Sequence, residues 1–210
     1  MKKTIIFDFD GTIADSFTIV VSIIQEMMHR SQKLTPEEII GLKHMHLLEV
    51  AKKEHLPVWR IPFMVIRGRR MMNSRIGEVR LFDGMGIVIK ELYDSGYELF
   101  IVSSNSSVNI EKFLQSNKLK QYFAKIYGGV GLFSKSRMLR KTLGANKLSP
   151  DKCIYVGDEA RDVKASKEVG MRCVSVGWGF NAASLLCKLK PMAIADRPED
   201  LLEIIRAKDS

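Results

Sequence analysis

The amino-acid sequence predicts an α/β protein: a doubly wound, mainly parallel sheet of five strands, with an all-helical segment inserted behind the first strand. Three observations carry this. Thr4-Ile5-Ile6-Phe7 is a short apolar run closed by Asp8-Phe9-Asp10-Gly11, the pattern of a buried strand that ends in a turn. From Ile87 onward, apolar runs of strand length alternate with amphipathic stretches of helical period, which implies parallel strands joined by crossover helices. Between these two regions, residues 16–80 show helical periods and no convincing strand.

Taken in order, the first strand is followed by a helix within Ile13 to Ser31, where Phe17, Val20, Val21, Ile24, Met27 and Met28 recur at helical spacing. Thr35-Pro36-Glu37-Glu38 combines a capping hydroxyl, a first-turn proline and first-turn acids, so a second helix begins there and is expected to end near Gly41. A third is expected over His46 to His55, closed by Pro57, and a fourth over Phe63 to Met72. Phe82-Asp83-Gly84 marks the change of pattern. Helix Ile87 to Ser95 then leads to strand Tyr97 to Val102, helix Val108 to Ser116 to strand Lys125 to Tyr127, and helix Ser136 to Leu143 to strand Cys153 to Val156. Helix Arg161 to Val169 leads to a fifth strand, Cys173 to Val176, and Leu201 to Ala207 closes the chain as a helix. Core 1–15 and 81–210 and a helical unit 16–80 are the expected domains.

The chain has 210 residues, 46% of them hydrophobic and 27% charged, enough to bury a sizeable core and ordinary for a soluble globular protein. Its three cysteines, Cys153, Cys173 and Cys187, show no metal-ligand spacing, and reduced thiols are expected. No apolar stretch approaches membrane-spanning length, and Met1-Lys2-Lys3 runs directly into a strand, so no signal peptide, no membrane partner and a cytoplasmic location are expected. The net charge is +9. Residues 17–80 hold eleven Lys/Arg against six Asp/Glu, a net of +5, without the aromatic-basic interleaving of single-strand binders. Nucleic acid is therefore not the favoured partner.

The residues that follow the strands carry chemistry. The first strand delivers Asp8 and Asp10, the second Ser103, Ser104 and Asn105, and the fourth Gly157, Asp158, Glu159 and Asp162. In a parallel sheet these segments lie along one edge. Oxygen-only ligands favour a hard cation such as Mg²⁺, which takes one or two carboxylates together with water and substrate phosphate. One aspartate of the first pair can attack phosphorus, and the other can protonate the leaving oxygen and later activate water. Hydroxyls and backbone N–H groups after the second strand would hold the phosphoryl oxygens, and Lys135, in the loop after the third strand, would add positive charge.

Phe7-Asp8-Phe9-Asp10-Gly11-Thr12 resembles the first motif of the haloacid dehalogenase superfamily. Ser103 is similar to its second motif, Lys135 to its third, and Gly157-Asp158 with Asp162 to its fourth. The order and spacing fit along the whole chain, with residues 16–80 where that family carries a helical cap over a Rossmann-like core. Phe82-Asp83-Gly84 resembles the turn that leads back into the core in phosphoglycolate-phosphatase-like and β-phosphoglucomutase-like members. The third motif of the family usually reads Lys-Pro-x-Pro, whereas Lys135 is followed here by Ser136-Arg137-Met138. The resemblance implies Asp8 as nucleophile forming an aspartyl-phosphate, and Asp10 as general acid/base that also offers Mg²⁺ its backbone carbonyl. It implies Asp8 and Asp158 as metal-binding carboxylates, with Asp162 orienting that shell or Lys135, and Glu159 as a second candidate ligand. Ser103, Ser104, Asn105 and Lys135 would bind the phosphoryl group.

Asp10 also separates reactions within the superfamily. Dehalogenation needs no general acid at that position, so the resemblance implies phosphoryl transfer, with a small phosphorylated metabolite as substrate. A phosphosugar mutase, or a nucleic-acid or nucleotide-binding relative using the basic cap, are the alternatives. Substrate choice is expected in the cap, where Lys43, His44 and His46 occupy a turn between helices; solvent-exposed helix-start residues are the competing reading for both histidines. Arg67, Arg69 and Arg70 form a basic cluster on another cap helix, read as a solvated face. Trp178-Gly179-Phe180 either lines the rim of the site or packs on the core. Monomer and dimer are both open.

Overall fold

The structure is a computed structural model that describes residues 3–27, 34–44, 49, 57–129 and 134–207. Its main sheet runs β1 (Thr4–Phe7), β4 (Glu98–Val102), β5 (Phe123–Tyr127), β6 (Cys153–Gly157), β7 (Arg172–Val176) and β8 (Ala193–Ala195). In space the order is β5-β4-β1-β6-β7-β8, and every pairing is parallel. The order reverses between β1 and β6, so a crevice opens at the carboxyl ends of these strands. The register places Phe7 beside Ile101 and Val156. The residues after those positions, Asp8, Ser103 and Asp158, therefore leave the sheet at one edge.

Six parallel strands replace the five expected. The additional one, β8, is three residues long, too short for a periodic pattern to show in the sequence. A second departure is an antiparallel ribbon of two residues per strand, β2 (Ala14–Asp15) with β3 (Arg80–Leu81). It ties the chain where it leaves β1 to the point where it returns from the helical segment. Sequence period cannot register such a pair either.

Alternation along the strands sorts the core into two faces. Ile5, Phe7, Leu99, Ile101, Ile154 and Val156 point to one, where α4 (Met85–Asp94), α5 (Ser107–Ser116) and α9 (Asp200–Ala207) cover them. Ile6, Phe100, Val102, Tyr155 and Cys173 point to the other, beneath α6 (Lys135–Ala145), α7 (Ala160–Glu168) and α8 (Ala183–Cys187). Each such large apolar side chain contributes roughly 1.5–3 kcal/mol by leaving water. Ile19 and Ile23 of α1 (Phe17–Met27) and Met72 of α3 (Ile61–Arg75) join the first of these buried clusters.

The helix starts follow local chemistry. At α2 (Pro36–Lys43) the Thr35 hydroxyl accepts the Glu38 N–H at 3.2 Å and the Glu38 carboxylate accepts the Thr35 N–H at 2.8 Å, a capping box. The helix continues to Lys43, two residues past the end expected near Gly41, and its last carbonyl accepts the Ala182 N–H at 2.8 Å. α3 extends beyond the expected Phe63 to Met72 at both ends. The helix expected over His46 to His55 lies outside the described residues. Among the described residues no helix is long and apolar enough to cross a membrane.

Candidate active site

β1 delivers Asp8 fully buried, and the chain then folds back on itself within six residues. The Phe9 carbonyl accepts N–H bonds from Ile13 at 2.9 Å and Ala14 at 3.0 Å, and the Gly11 N–H reaches the Ala14 carbonyl at 2.8 Å. Gly11 adopts φ +74°, and a Cβ there would lie 2.1 Å from Asp158 Oδ2. Only glycine lets the loop after β1 press against the loop after β6.

The buried charges form one network. Lys135, the first residue of α6 and 4% exposed, places its Nζ 2.6 Å from Asp8 Oδ2 and hydrogen-bonds Asp162 Oδ1. Asp162 accepts the Glu159 N–H on its other oxygen at 3.0 Å. Asp158 accepts the Thr12 hydroxyl at 2.9 Å and the Phe180 N–H at 2.7 Å. Asp8, Asp158 and Asp162 each turn a carboxylate oxygen to a common point, all within 4.8 Å of one another. Burial, then the charges of Glu159, Asp162 and Asp8, push Asp158 well above the usual carboxylate range. Burial raises Asp162 to about 6 although Lys135 opposes it. Lys135 is lowered by burial, but Asp162 and Asp8 outweigh that and raise it. Three buried carboxylates around one point and a single lysine fit an oxygen-liganded divalent cation, by donor type and by the unbalanced charge.

Asp10 faces elsewhere. Its carboxylate accepts the Ser16 hydroxyl at 2.8 Å and the Asn105 side-chain N–H at 3.0 Å. Burial raises it to about 6, with Asp8 adding to the rise and the Ser16 and Asn105 hydrogen bonds opposing it. Asp10 thus has its own polar cradle, apart from the Asp8–Asp158–Asp162 cluster.

The segment after β4 is partly committed to this cradle. The Asn105 side chain holds Asp10 and accepts from Ser106 N at 2.8 Å and Asn109 Nδ2 at 2.9 Å, which leaves the expected backbone role at the phosphoryl group untouched. Ser103 is buried, and its hydroxyl accepts the Asn105 N–H at 3.2 Å. Ser104 is partly exposed, with Arg161 Nη2 at 3.5 Å. Gly157 allows the close approach of Asp162, whose Oδ2 would lie 2.4 Å from a Cβ at that position. Glu159 pairs with Arg161 at 2.5 Å and is not part of the close carboxylate cluster, whereas Asp162 is.

The candidates at the end of α2 and on α3 divide. The Lys43 carbonyl accepts the Ala182 N–H at 2.8 Å, and its ammonium lies 4.7 Å from the Phe17 ring centroid. Phe17 packs edge-on against Phe180, whose N–H binds Asp158. His44 is exposed, with Nδ1 3.4 Å from Ser184 Oγ. His46 lies outside the described residues. Arg67 and Arg70 are exposed and Arg69 is half-buried. Trp178 donates its indole N–H to the Thr12 carbonyl at 3.2 Å. The contacts of Ser16, Arg161 and Asn181 with the site were not read from the sequence. Their partners are distant along the chain or specified by loop geometry, and the Arg161 position inside Gly157-Asp158-Glu159-Ala160-Arg161-Asp162 was the only local signal.

Residues 5–176 match the haloacid dehalogenase-like hydrolase family, and the chain belongs to that family and is a hydrolase. Among individual relatives, it is 32% identical over 205 residues to the phosphoglycolate phosphatase of Synechococcus elongatus, covering 97% of both chains. It is 23% identical over 209 residues to the pyrophosphatase PpaX of Bacillus mycoides, covering 97% of this chain and 96% of that one. A crystal structure described as a predicted phosphatase from Clostridium acetobutylicum superposes with a TM-score of 0.84 at 20% identity, over 99% of both chains; at that identity it speaks for the fold alone.

Proposed function

We propose that this chain is a Mg²⁺-dependent phosphatase that hydrolyses a small phosphomonoester through an aspartyl-phosphate on Asp8. The observation that carries the reading is the division of the two aspartates. Asp8 faces Lys135 and the carboxylate cluster, while Asp10 is turned into the Ser16–Asn105 cradle. Two carboxylates from one Asp-x-Asp sequence thereby serve different tasks. The phosphoglycolate phosphatase relative supports a small phosphorylated acid as substrate.

In this reading Asp8 attacks phosphorus along the line of the leaving oxygen, and Asp10 gives that oxygen its proton. The Asp8–O–P bond replaces the ester bond. A water molecule then attacks phosphorus, loses its proton to Asp10 and releases Asp8 as a carboxylate. Ser103 and the backbone near Ser104 hold phosphoryl oxygens, and Lys135 offsets charge on Asp8. Asp8, Asp158 and the Asp10 carbonyl would hold Mg²⁺, whose contribution is to neutralise phosphate charge beside the nucleophile. Residues 16–80 act as a cap over the core of residues 1–15 and 81–210 and exclude water. The free thiols of Cys153, Cys173 and Cys187 support a reducing, cytoplasmic setting.

A panel of small phosphorylated metabolites tests the reading. Mg²⁺-dependent release of phosphate is expected, with Asp10→Asn reducing turnover by about 10²-fold or more. Equal turnover in excess chelator, or by Asp10→Asn, would contradict it.

A further inference from the structure

The amide that holds Asp10 is itself oriented by a residue with no role in the mechanism above. Asn109 is the third residue of α5 and 3% exposed. Asparagine is a poor helix former, and a buried amide costs stability unless it is hydrogen-bonded. Its backbone N–H is engaged locally, by the capping Ser106 hydroxyl at 3.2 Å. Its side chain turns back out of the helix, where Nδ2 donates to Asn105 Oδ1 at 2.9 Å. The same oxygen accepts the Ser106 backbone N–H at 2.8 Å, a group that can only donate. Asn105 Oδ1 therefore faces α5, and the amide NH₂ must face the other way. It meets Asp10 at 3.0 Å from Oδ2 and 3.2 Å from Oδ1. The Asn105 main chain is fixed as well, its carbonyl accepting the Gly129 N–H at 2.6 Å. With the Ser16 hydroxyl on Asp10 Oδ1 at 2.8 Å, the carboxylate is held from two sides. One of the two runs back to Asn109.

We propose that Asn109 is a positioning residue for Asp10: by occupying Asn105 Oδ1 it keeps the Asn105 N–H groups on the Asp10 carboxylate, and so keeps that carboxylate aimed at the leaving oxygen. Without it, one of the two donors on Asn105 Oδ1 is gone and the amide is free to turn about its side-chain bonds. Asp10 would then keep the Ser16 bond as its anchor, and a small misplacement of a proton donor is costly in rate. The cost falls on leaving groups that need the proton. An alkoxide needs it, whereas a nitrophenolate departs without it. The role in catalysis rests on the phosphatase reading; the chain of hydrogen bonds does not.

Two esters test it: phosphoglycolate, with an alkyl leaving group, and p-nitrophenyl phosphate. kcat/KM covers the reaction only as far as departure of the leaving group, so breakdown of the aspartyl-phosphate does not enter. Asn109→Leu nearly keeps the shape of the side chain without its N–H groups, and Asn109→Ala puts the best helix former there instead. Either variant should lower the alkyl-to-aryl ratio of kcat/KM by roughly tenfold. A merely structural role would lower both esters alike. An unchanged ratio in both variants, with a lowered one in Asp10→Asn, would overturn the proposal and keep the phosphatase reading. In an Asn105→Ala background, adding Asn109→Leu should lower the ratio no further, because the two residues act as one unit; full additivity would also overturn the proposal. Hydrogen exchange of the Asn105 side-chain amide, followed by ¹⁵N NMR without substrate, reads the positioning apart from the chemistry. Exchange about tenfold faster in Asn109→Leu is expected, and equal exchange would overturn the proposal. Faster exchange, together with a ratio that Asp10→Asn does not change, would keep the positioning and contradict the proton-donor role of Asp10.

Discussion

Lys135 sets one ammonium between two buried carboxylates, Asp8 and Asp162. Removing it leaves both buried carboxylates without the ammonium that balances their charge, which costs about 3–5 kcal/mol. Lys135→Met is therefore expected to lower the unfolding free energy by that amount in the absence of metal, read as a lower urea midpoint, and Mg²⁺ to restore part of it; a midpoint equal to the wild type would contradict the network. Gly11 is a second point of leverage. Its φ of +74° and the 2.1 Å approach of Asp158 to a Cβ there mean that Gly11→Ala must strain the loop or displace Asp158. A loss of about 1–3 kcal/mol, read as a fall in Tm, is expected together with a fall in kcat. At this scale the sequence was most readable where residue types stand in a fixed order behind a strand, as in Asp8-Phe9-Asp10-Gly11-Thr12. It did not show that the Asn105 side chain would hold Asp10, because that bond spans 95 residues and depends on how two loops meet.

Among the elements, β6 and β7 carry buried thiols whose titration reports on the sheet. Burial is the first cause that pushes Cys153 up to about 11 and Cys173 up to about 12, against an ordinary value of 9.0. A raised folded-state pKa contributes stability in full below the unfolded value and loses it as pH rises through the folded one. The denaturation midpoint should thus begin to fall above pH about 9 and keep falling toward pH 12, and Cys153→Ala with Cys173→Ala should flatten that decline. An equally steep decline in the double variant would show that other groups carry it. Long apolar runs such as Glu98–Val102 and Cys153–Gly157, and the Thr35–Glu38 capping box, were legible because their signals are local. β8 and the β2–β3 ribbon were not. Two or three residues contain no period, and these strands exist because neighbouring strands accept them.

Across the whole molecule, the last turn of α2 is bound to the core through one short segment. The Lys43 carbonyl takes N–H bonds from Ala182 at 2.8 Å and from the Asn181 side chain at 3.4 Å. The same Asn181 caps α7 by accepting the Ala160 N–H at 2.9 Å. Asn181→Ala removes both links, and a stability loss of about 1–3 kcal/mol is expected, with a rise in KM that a purely local defect at α7 would not produce. The doubly wound topology was readable from alternation of period along the chain. The bonds from Asn181 and Ala182 to the end of α2 were not, since no sequence pattern records which loop meets a helix end.

The central claim is that Asp8 becomes phosphorylated during turnover. It is tested most directly by acid-quenched single turnover with a ³²P-labelled phosphomonoester and Mg²⁺, comparing wild type with Asp8→Asn. Label bound to the wild-type protein, released by hydroxylamine and absent from the variant, is the expected result. Hydrolysis by the wild type with no protein-bound label, and full activity in Asp8→Asn, would contradict the account.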